Sequence, residues 1–258
     1  MILATFNANS IRSRLPILLD WLQSRQPDIL CVQETKVSDP DFPVAPFEQA
    51  GYHVAFKGEK SYNGVAVISA RAPSRVAFGF DDDGPADPAR LLHAQFGALH
   101  VVNAYVPQGR SIEHPMYAYK LDWFRRLKAL FARRFSADDD VAWLGDLNVA
   151  PTPLDVHNPE RQAKHVCYHE AVRHAFADTL DWGFEDVFRR HCPEAGHYSF
   201  FDYRVRDSVT QGKGWRVDHI LATASLAARS QQAGIDLEPR QRERPSDHTF
   251  VWALFQES

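Results

Sequence analysis

Short apolar runs that stop abruptly at an acid or an amide constrain this chain most. Val141–Leu144 is such a run, and Gly145 reads as its end, with Asp146 and Asn148 just beyond. Ile2–Phe6 stops at Asn7, and Ile29–Gln33 stops at Glu34. Runs of this length without polar alternation read as buried strands. A helix predicted from about Ser13, with Pro16 in its first turn, lies between the first two. The resulting β-α-β order predicts parallel pairing. In layered α/β proteins, sites form outside strand carboxyl ends, so polar residues at several such ends predict one pocket. In extended backbone, Asp146 and Asn148, two positions apart, would face the same way. An acid and an amide so placed suit a hard cation, a water nucleophile or both.

The remaining elements fit one layered α/β domain over 1–258. Predicted strands cover 53–56, 65–69, 75–80, 91–96, 99–105, 198–203, 215–221, 235–237 and 250–255. Asn63-Gly64 is a turn signal, and 39–50 and 81–88 read as loops. Tyr117–Phe135 is the clearest helix, and its Arg125, Arg126, Lys128, Arg133 and Arg134 read as a solvated face. A further helix is expected from about Glu170 to Asp181. The three cysteines are odd in number and widely spaced, which argues against a disulfide framework. With no signal-like or membrane-length segment, the expectation is a cytoplasmic protein, a monomer by default. The net charge of −4 shows no general basic bias, but an acidic cluster with a local basic rim remains compatible with nucleic acid. Oxygen ligands without zinc-type Cys/His spacing favour Mg²⁺, with Mn²⁺ as the alternative.

The motifs Asn7-Ala8-Asn9-Ser10-Ile11-Arg12, Val32-Gln33-Glu34-Thr35-Lys36 and Tyr62-Asn63-Gly64-Val65-Ala66 open a longer series. It continues through Asn103–Gly109, Gly145–Pro151, Phe201–Arg204, Trp215–Asp218 and Ser246–His248. In this order and over nearly the whole chain, they resemble the exonuclease III family of DNA-repair nucleases, within the endonuclease/exonuclease/phosphatase superfamily. The resemblance implies an α/β fold, a four-layer sandwich of two face-to-face mixed sheets flanked by helices, as in DNase I.

It also implies site roles. Glu34 is the main metal ligand, with Asn7 beside it and Asp247 completing the acidic cluster. Asp146 orients or deprotonates the attacking water, and Asn148 holds that water or the phosphate, either residue also being a candidate ligand. His248 contacts the scissile phosphate, paired with Asp218, and is a further candidate ligand. Tyr105 lies near the same phosphate, as a hydrogen-bond donor or, close to a metal, ionised. Phe200, Trp215 and Val217 would wall a pocket for a flipped-out abasic deoxyribose, although Phe200 also reads as a plain core aromatic. Arg110, Lys120, Lys60 and Arg216 are candidate phosphate contacts.

The implied activity is Mg²⁺-dependent hydrolysis of double-stranded DNA, 5′ to abasic sites, at 3′ ends, or both. The segment 151–171, with His157, His165, Tyr168 and His169, departs most from the family pattern and leaves that balance open. The alternatives are a same-fold phosphatase acting on phosphoinositides or sphingolipids, and an inactive DNA-binding protein.

Overall fold

The computed structural model describes residues 1–256. In chain order, the strands are β1 (Ile2–Asn7), β2 (Ile29–Gln33), β3 (His53–Lys57), β4 (Val65–Ser69), β5 (Arg75–Phe78) and β6 (Leu91–Phe96). They continue with β7 (Leu99–Tyr105), β8 (Val141–Asp146), β9 (Phe184–Asp186), β10 (Asp218–Thr223), β11 (Ser230–Asp236) and β12 (Phe250–Phe255). The helices are α1 (Ile11–Arg25), α2 (Val44–Gln49), α3 (Pro115–Arg134), α4 (Pro159–Gln162), α5 (Glu170–Leu180), α6 (Val187–His191) and α7 (Ala224–Ala227). Two six-stranded sheets result, in the orders β11-β12-β1-β2-β4-β3 and β5-β6-β7-β8-β10-β9. Each sheet holds one parallel pair, β1 with β2 and β7 with β8, and its other pairings are antiparallel.

Strands buried on both faces explain why the sequence runs are continuous rather than alternating. Leu3, Cys31, Val67, Val101, Leu144 and Ile220 form the core between the sheets. Their chain neighbours turn outward. Phe6, Val32 and Phe250 pack on Leu18 and Leu22 of α1 and Phe47 of α2. Val102, Trp143 and Leu221 pack on Phe124 and Phe131 of α3 and Phe176 of α5. The order is therefore helix, sheet, sheet, helix.

The inner rows place the site. Leu3-Thr5-Asn7, Val101-Asn103-Tyr105 and Ala142-Leu144-Asp146 each run along one face at the two-residue period. Each is apolar at one end and polar at the other. Gln33 bridges the sheets by donating from Nε2 to Asn103 Oδ1 at 2.7 Å. Register then aligns the polar ends, because Tyr105 stands opposite Asp146 and Asp146 opposite Asp218. Partners in register share a face, so these three side chains enter the same mouth between the sheets.

Several sequence-based expectations need correction. Gly145 does not end its strand, since β8 runs on through Asp146. Its φ of +141° and a Cβ position only 1.9 Å from Ala104 O show why glycine stands there, against the parallel neighbour β7. The 39–50 segment, read as a loop, contains a 3₁₀ turn (Asp39–Asp41) and α2. The stretches 198–203 and 215–217 form only isolated bridges, Phe200 with Trp215, Phe200 with His248 and Val156 with Trp215. Nor is the basic face of α3 wholly solvated. Arg126 is buried and forks onto Asp82, at 3.0 Å from Nε and 2.6 Å from Nη2, while Asp81 takes Arg133 and Arg134. The acidic loop after β5 therefore caps that face.

Candidate active site

The carboxyl ends of β1, β2, β7 and β8 meet the amino ends of β10 and β12 around a cavity of about 410 Å³. Glu34, Tyr105, Asp146, Asn148, Asp247 and His248 line its floor, and Phe200, Trp215 and Val217 line one wall. Asn7 is fully buried beneath the floor and ties two acids together. Its Nδ2 donates to Glu34 Oε1 and to Asp146 Oδ2, both at 2.8 Å. Its Oδ1 accepts from the Asn9 backbone N–H at 2.9 Å.

Across the floor, His248 Nδ1 donates to Asp218 Oδ2 at 2.8 Å, and His248 Nε2 lies 3.8 Å from Asp146 Oδ2. Burial alone would make this histidine neutral, but Asp218 foremost, and then Asp146, hold its pKa up at about 10. The raised value favours the doubly protonated ring, in which both nitrogens are donors. Asp146 is also raised, but toward its neutral form. Burial raises it to about 7, with Asp218 and Glu34 adding to the rise and His248 opposing it. Burial would also raise Glu34, yet Lys36, whose Nζ lies 2.7 Å from Oε2, keeps it below its ordinary value. Tyr105 is pushed well above 10 by burial and by the charges of Glu34 and Asp146, which favours the neutral phenol.

Asn148 reaches the pocket by a route the extended-strand reading did not foresee. Its φ is +50°, and its backbone N–H donates to Asp146 Oδ1 at 3.0 Å, closing a side-chain turn. Its amide then donates to Val106 O at 3.0 Å.

Two candidate phosphate contacts are elsewhere. Lys120 is fully buried on the core side of α3 and donates to backbone carbonyls. Arg216 is also fully buried, its Nε donating to Asp155 at 2.6 Å and its Nη2 to Asp186 at 2.7 Å. Neighbouring side chains in extended backbone point oppositely, so anchoring Arg216 inward presents Trp215 and Val217 to the cavity. Arg110 and Lys60 are exposed outside the cavity lining.

Other residues at the site escaped the sequence reading. Ser199 is buried and donates to Asp218 Oδ2 at 2.6 Å. Asn9 donates to Asp247 Oδ1 at 3.0 Å and accepts from Lys36 Nζ. Short polar residues beside the motifs were the signal. From the 151–171 segment, His157 and His165 do line the cavity, with the His165 ring centroid 4.5 Å from that of Trp215.

The donor set fits a hard divalent cation. Glu34, Asp146 and Asp247 line one mouth, and behind them the buried Asp218 Oδ1 has no hydrogen-bond partner among the described residues. Asp146, Asp218 and His248 bring ligand-type atoms within 4.8 Å of one another. With His248 Nδ1 bonded to Asp218, the oxygen donors that line the cavity are Glu34, Asp146 and Asp247.

Comparison with known proteins bears on the family and the fold. The model of the endonuclease/exonuclease/phosphatase family matches residues 4–248. The chain is 34% identical to exodeoxyribonuclease III of Haemophilus influenzae over 263 aligned residues, covering 97% of this chain and 98% of that one. An AP endonuclease structure from Archaeoglobus fulgidus superposes with a TM-score of 0.98 at 46% identity, covering all of both chains. A Neisseria 3′ phosphatase bound to product DNA hairpin superposes at 0.92 with 35% identity, again over both full chains. A buried carboxylate–imidazole pair facing an amide-bridged pair of acids is thus set in a fold shared along the entire chain, and the protein belongs to the endonuclease/exonuclease/phosphatase family.

Proposed function

We propose that this protein is a metal-dependent DNA-repair phosphodiesterase that trims 3′ ends and cuts 5′ to abasic sites. The observation that carries the reading is the cavity floor itself, where the Glu34–Asn7–Asp146 bridge faces the Asp218–His248 pair. Full-length similarity to an exodeoxyribonuclease III and to an AP endonuclease supports DNA as the substrate. No described helix is long and apolar enough to cross a membrane.

In this reading Glu34, with Asp247, holds Mg²⁺ or Mn²⁺, and Asn7 keeps Glu34 and Asp146 in place. When bound, the cation neutralises charge on the phosphate oxygens. Asp146, poised near neutrality, orients the attacking water and takes its proton. The His248 imidazolium donates to a non-bridging phosphate oxygen as charge builds there. Tyr105, held neutral by its surroundings, donates a second hydrogen bond to the same group. Asn148 orients the water or the phosphate from its left-handed turn.

Product analysis on three duplexes tests the reading: one abasic, one 3′-phosphorylated and one with a plain recessed 3′ end. Cleavage of at least one is expected with Mg²⁺ and none with EDTA. Hydrolysis of an inositol phosphate alone would overturn the DNA assignment, and cleavage persisting in EDTA would overturn the metal assignment.

His165 bears on the choice among those substrates. Its ring lies against Trp215 and takes up space on the wall expected to receive an abasic sugar, which favours 3′ trimming. His165→Gly is expected to raise abasic-site cleavage relative to 3′ trimming by about 10-fold, the scale of one well-formed pocket contact. An unchanged ratio in the two assays would remove His165 from the account of specificity.

A further inference from the structure

Lys120 occupies the buried stripe of α3, where Tyr117, Phe124, Leu127 and Phe131 would lead one to expect another apolar side chain. Its side chain has no exposed surface. Nζ donates to Gln108 O at 3.1 Å, Asn148 O at 2.6 Å and Val166 O at 2.9 Å. These carbonyls belong to three separate segments: the loop after β7, the turn after β8, and the 163–169 stretch behind the pocket wall. An ammonium carries three N–H donors, so the charged form satisfies all three carbonyls, whereas a neutral amine would leave one without a donor. No carboxylate pairs with this ammonium among the described residues. Burying an unpaired cation is costly, and a methionine of similar shape would fill the same space. Simple packing therefore does not account for the lysine.

What the three bonds achieve is convergence on the site. Gln108, Asn148 and Cys167 all line the cavity, and Lys120 draws the backbone together beneath them. Asn148 sits at φ +50°, a conformation that non-glycine residues adopt at some cost, and its own carbonyl makes the shortest of the three bonds.

We propose that Lys120 is a positioning residue: its buried ammonium gathers three segments of the pocket and sets the Asn148 turn against the reacting phosphate. This inference rests on the hydrolase reading above. The test uses the full chain with Lys120→Met, Asn148→Ala and the double variant, in steady-state 3′-end cleavage and in amide hydrogen exchange. Lys120→Met is expected to lower kcat about 30-fold with KM changed less than about twofold, the scale of a small misplacement at a catalytic group. Exchange at residues 147–150 should quicken while β6 and β7 stay protected. In the Asn148→Ala background, the further loss from Lys120→Met should shrink to less than about threefold, because coupled residues do not add.

Equal fold losses in both backgrounds, or unchanged exchange at 147–150, would overturn the proposal. If Lys120→Met does not fold, Lys120→Gln supports the same comparison, since it keeps two donors without the charge. A wild type that cleaves no DNA would sink the functional reading, while the exchange measurement would still decide the positioning role.

Discussion

Replacing Asp146 by asparagine is expected to lower kcat by about 10³-fold, within the range that a positioned general base contributes, while leaving the fold no less stable. The two halves of this expectation share one cause. Asp146 is almost fully buried, and burial raises its carboxyl to about 7, with Asp218 and Glu34 pushing the same way. A carboxyl raised above its unfolded value stabilises the protein most below that unfolded value. The contribution is then lost as pH rises through about 7. At pH 8 the native protein therefore carries an ionised, desolvated acid at a cost, and asparagine removes the charge while still able to accept the Asn7 bond. Activity should vanish while the melting temperature at pH 8 holds or rises. Retention of more than about a tenth of kcat would remove Asp146 from the proton-transfer role. A fall of several degrees in melting temperature would instead point to misfolding.

Asp218→Asn should act through His248. Burial depresses an imidazole's pKa, and here Asp218 is the largest influence overcoming it, lifting the group to about 10. With the carboxylate neutralised, burial prevails, and the histidine loses its proton nearer neutrality. The alkaline limb of the kcat/KM profile, expected near pH 10 in the native enzyme, should move down by several units, and activity at pH 8 should fall roughly 100-fold. The stability change has the same pH sense as that of Asp146→Asn, displaced to higher pH. A raised histidine stabilises fully below its unfolded value near 6.5, and that contribution is lost as pH rises through about 10. The destabilisation by Asp218→Asn should thus be greatest near pH 6, about 3 kcal/mol for breaking a buried pair, and shrink toward pH 10. Denaturation at the two pH values reads this directly. An alkaline limb that stays in place would show that something other than Asp218 holds the proton on His248.

Both predictions concern residues visible in the linear sequence, and their visibility has a physical basis. A strand buried on both faces must be apolar throughout, so Asn7, Glu34 and Asp146 stand out where Ile2–Phe6, Ile29–Gln33 and Val141–Leu144 stop. The long α3 was equally plain, because its apolar residues recur at the helical period. The weaker readings fell where local pattern and local structure part. The aromatic stretch 198–203 resembles a strand in composition, but its backbone makes only isolated bridges. Asn148 was placed by assuming extended backbone, whereas a left-handed turn carries it into the pocket. Charge misled as well. Lys120 and Arg216 read as cations available to phosphate, yet both are consumed inside the protein, one by carbonyls and the other by Asp155 and Asp186.

The sequence by itself determined most of the strands, the parallel β1–β2 pair, the polar strand ends and, through its ordered motifs, the family. Only the tertiary structure decided which of those polar ends act together. Asn7 and Asp146 are 139 positions apart and belong to different sheets, yet one amide nitrogen bonds both Asp146 and Glu34. Sheet-on-sheet packing makes that contact, and the same packing removes the water that would otherwise set every pKa in the mouth to its ordinary value. A strand end is written in a few neighbouring residues. The charge on His248 and the near-neutral Asp146 arise only when two sheets bring distant carboxylates together out of water.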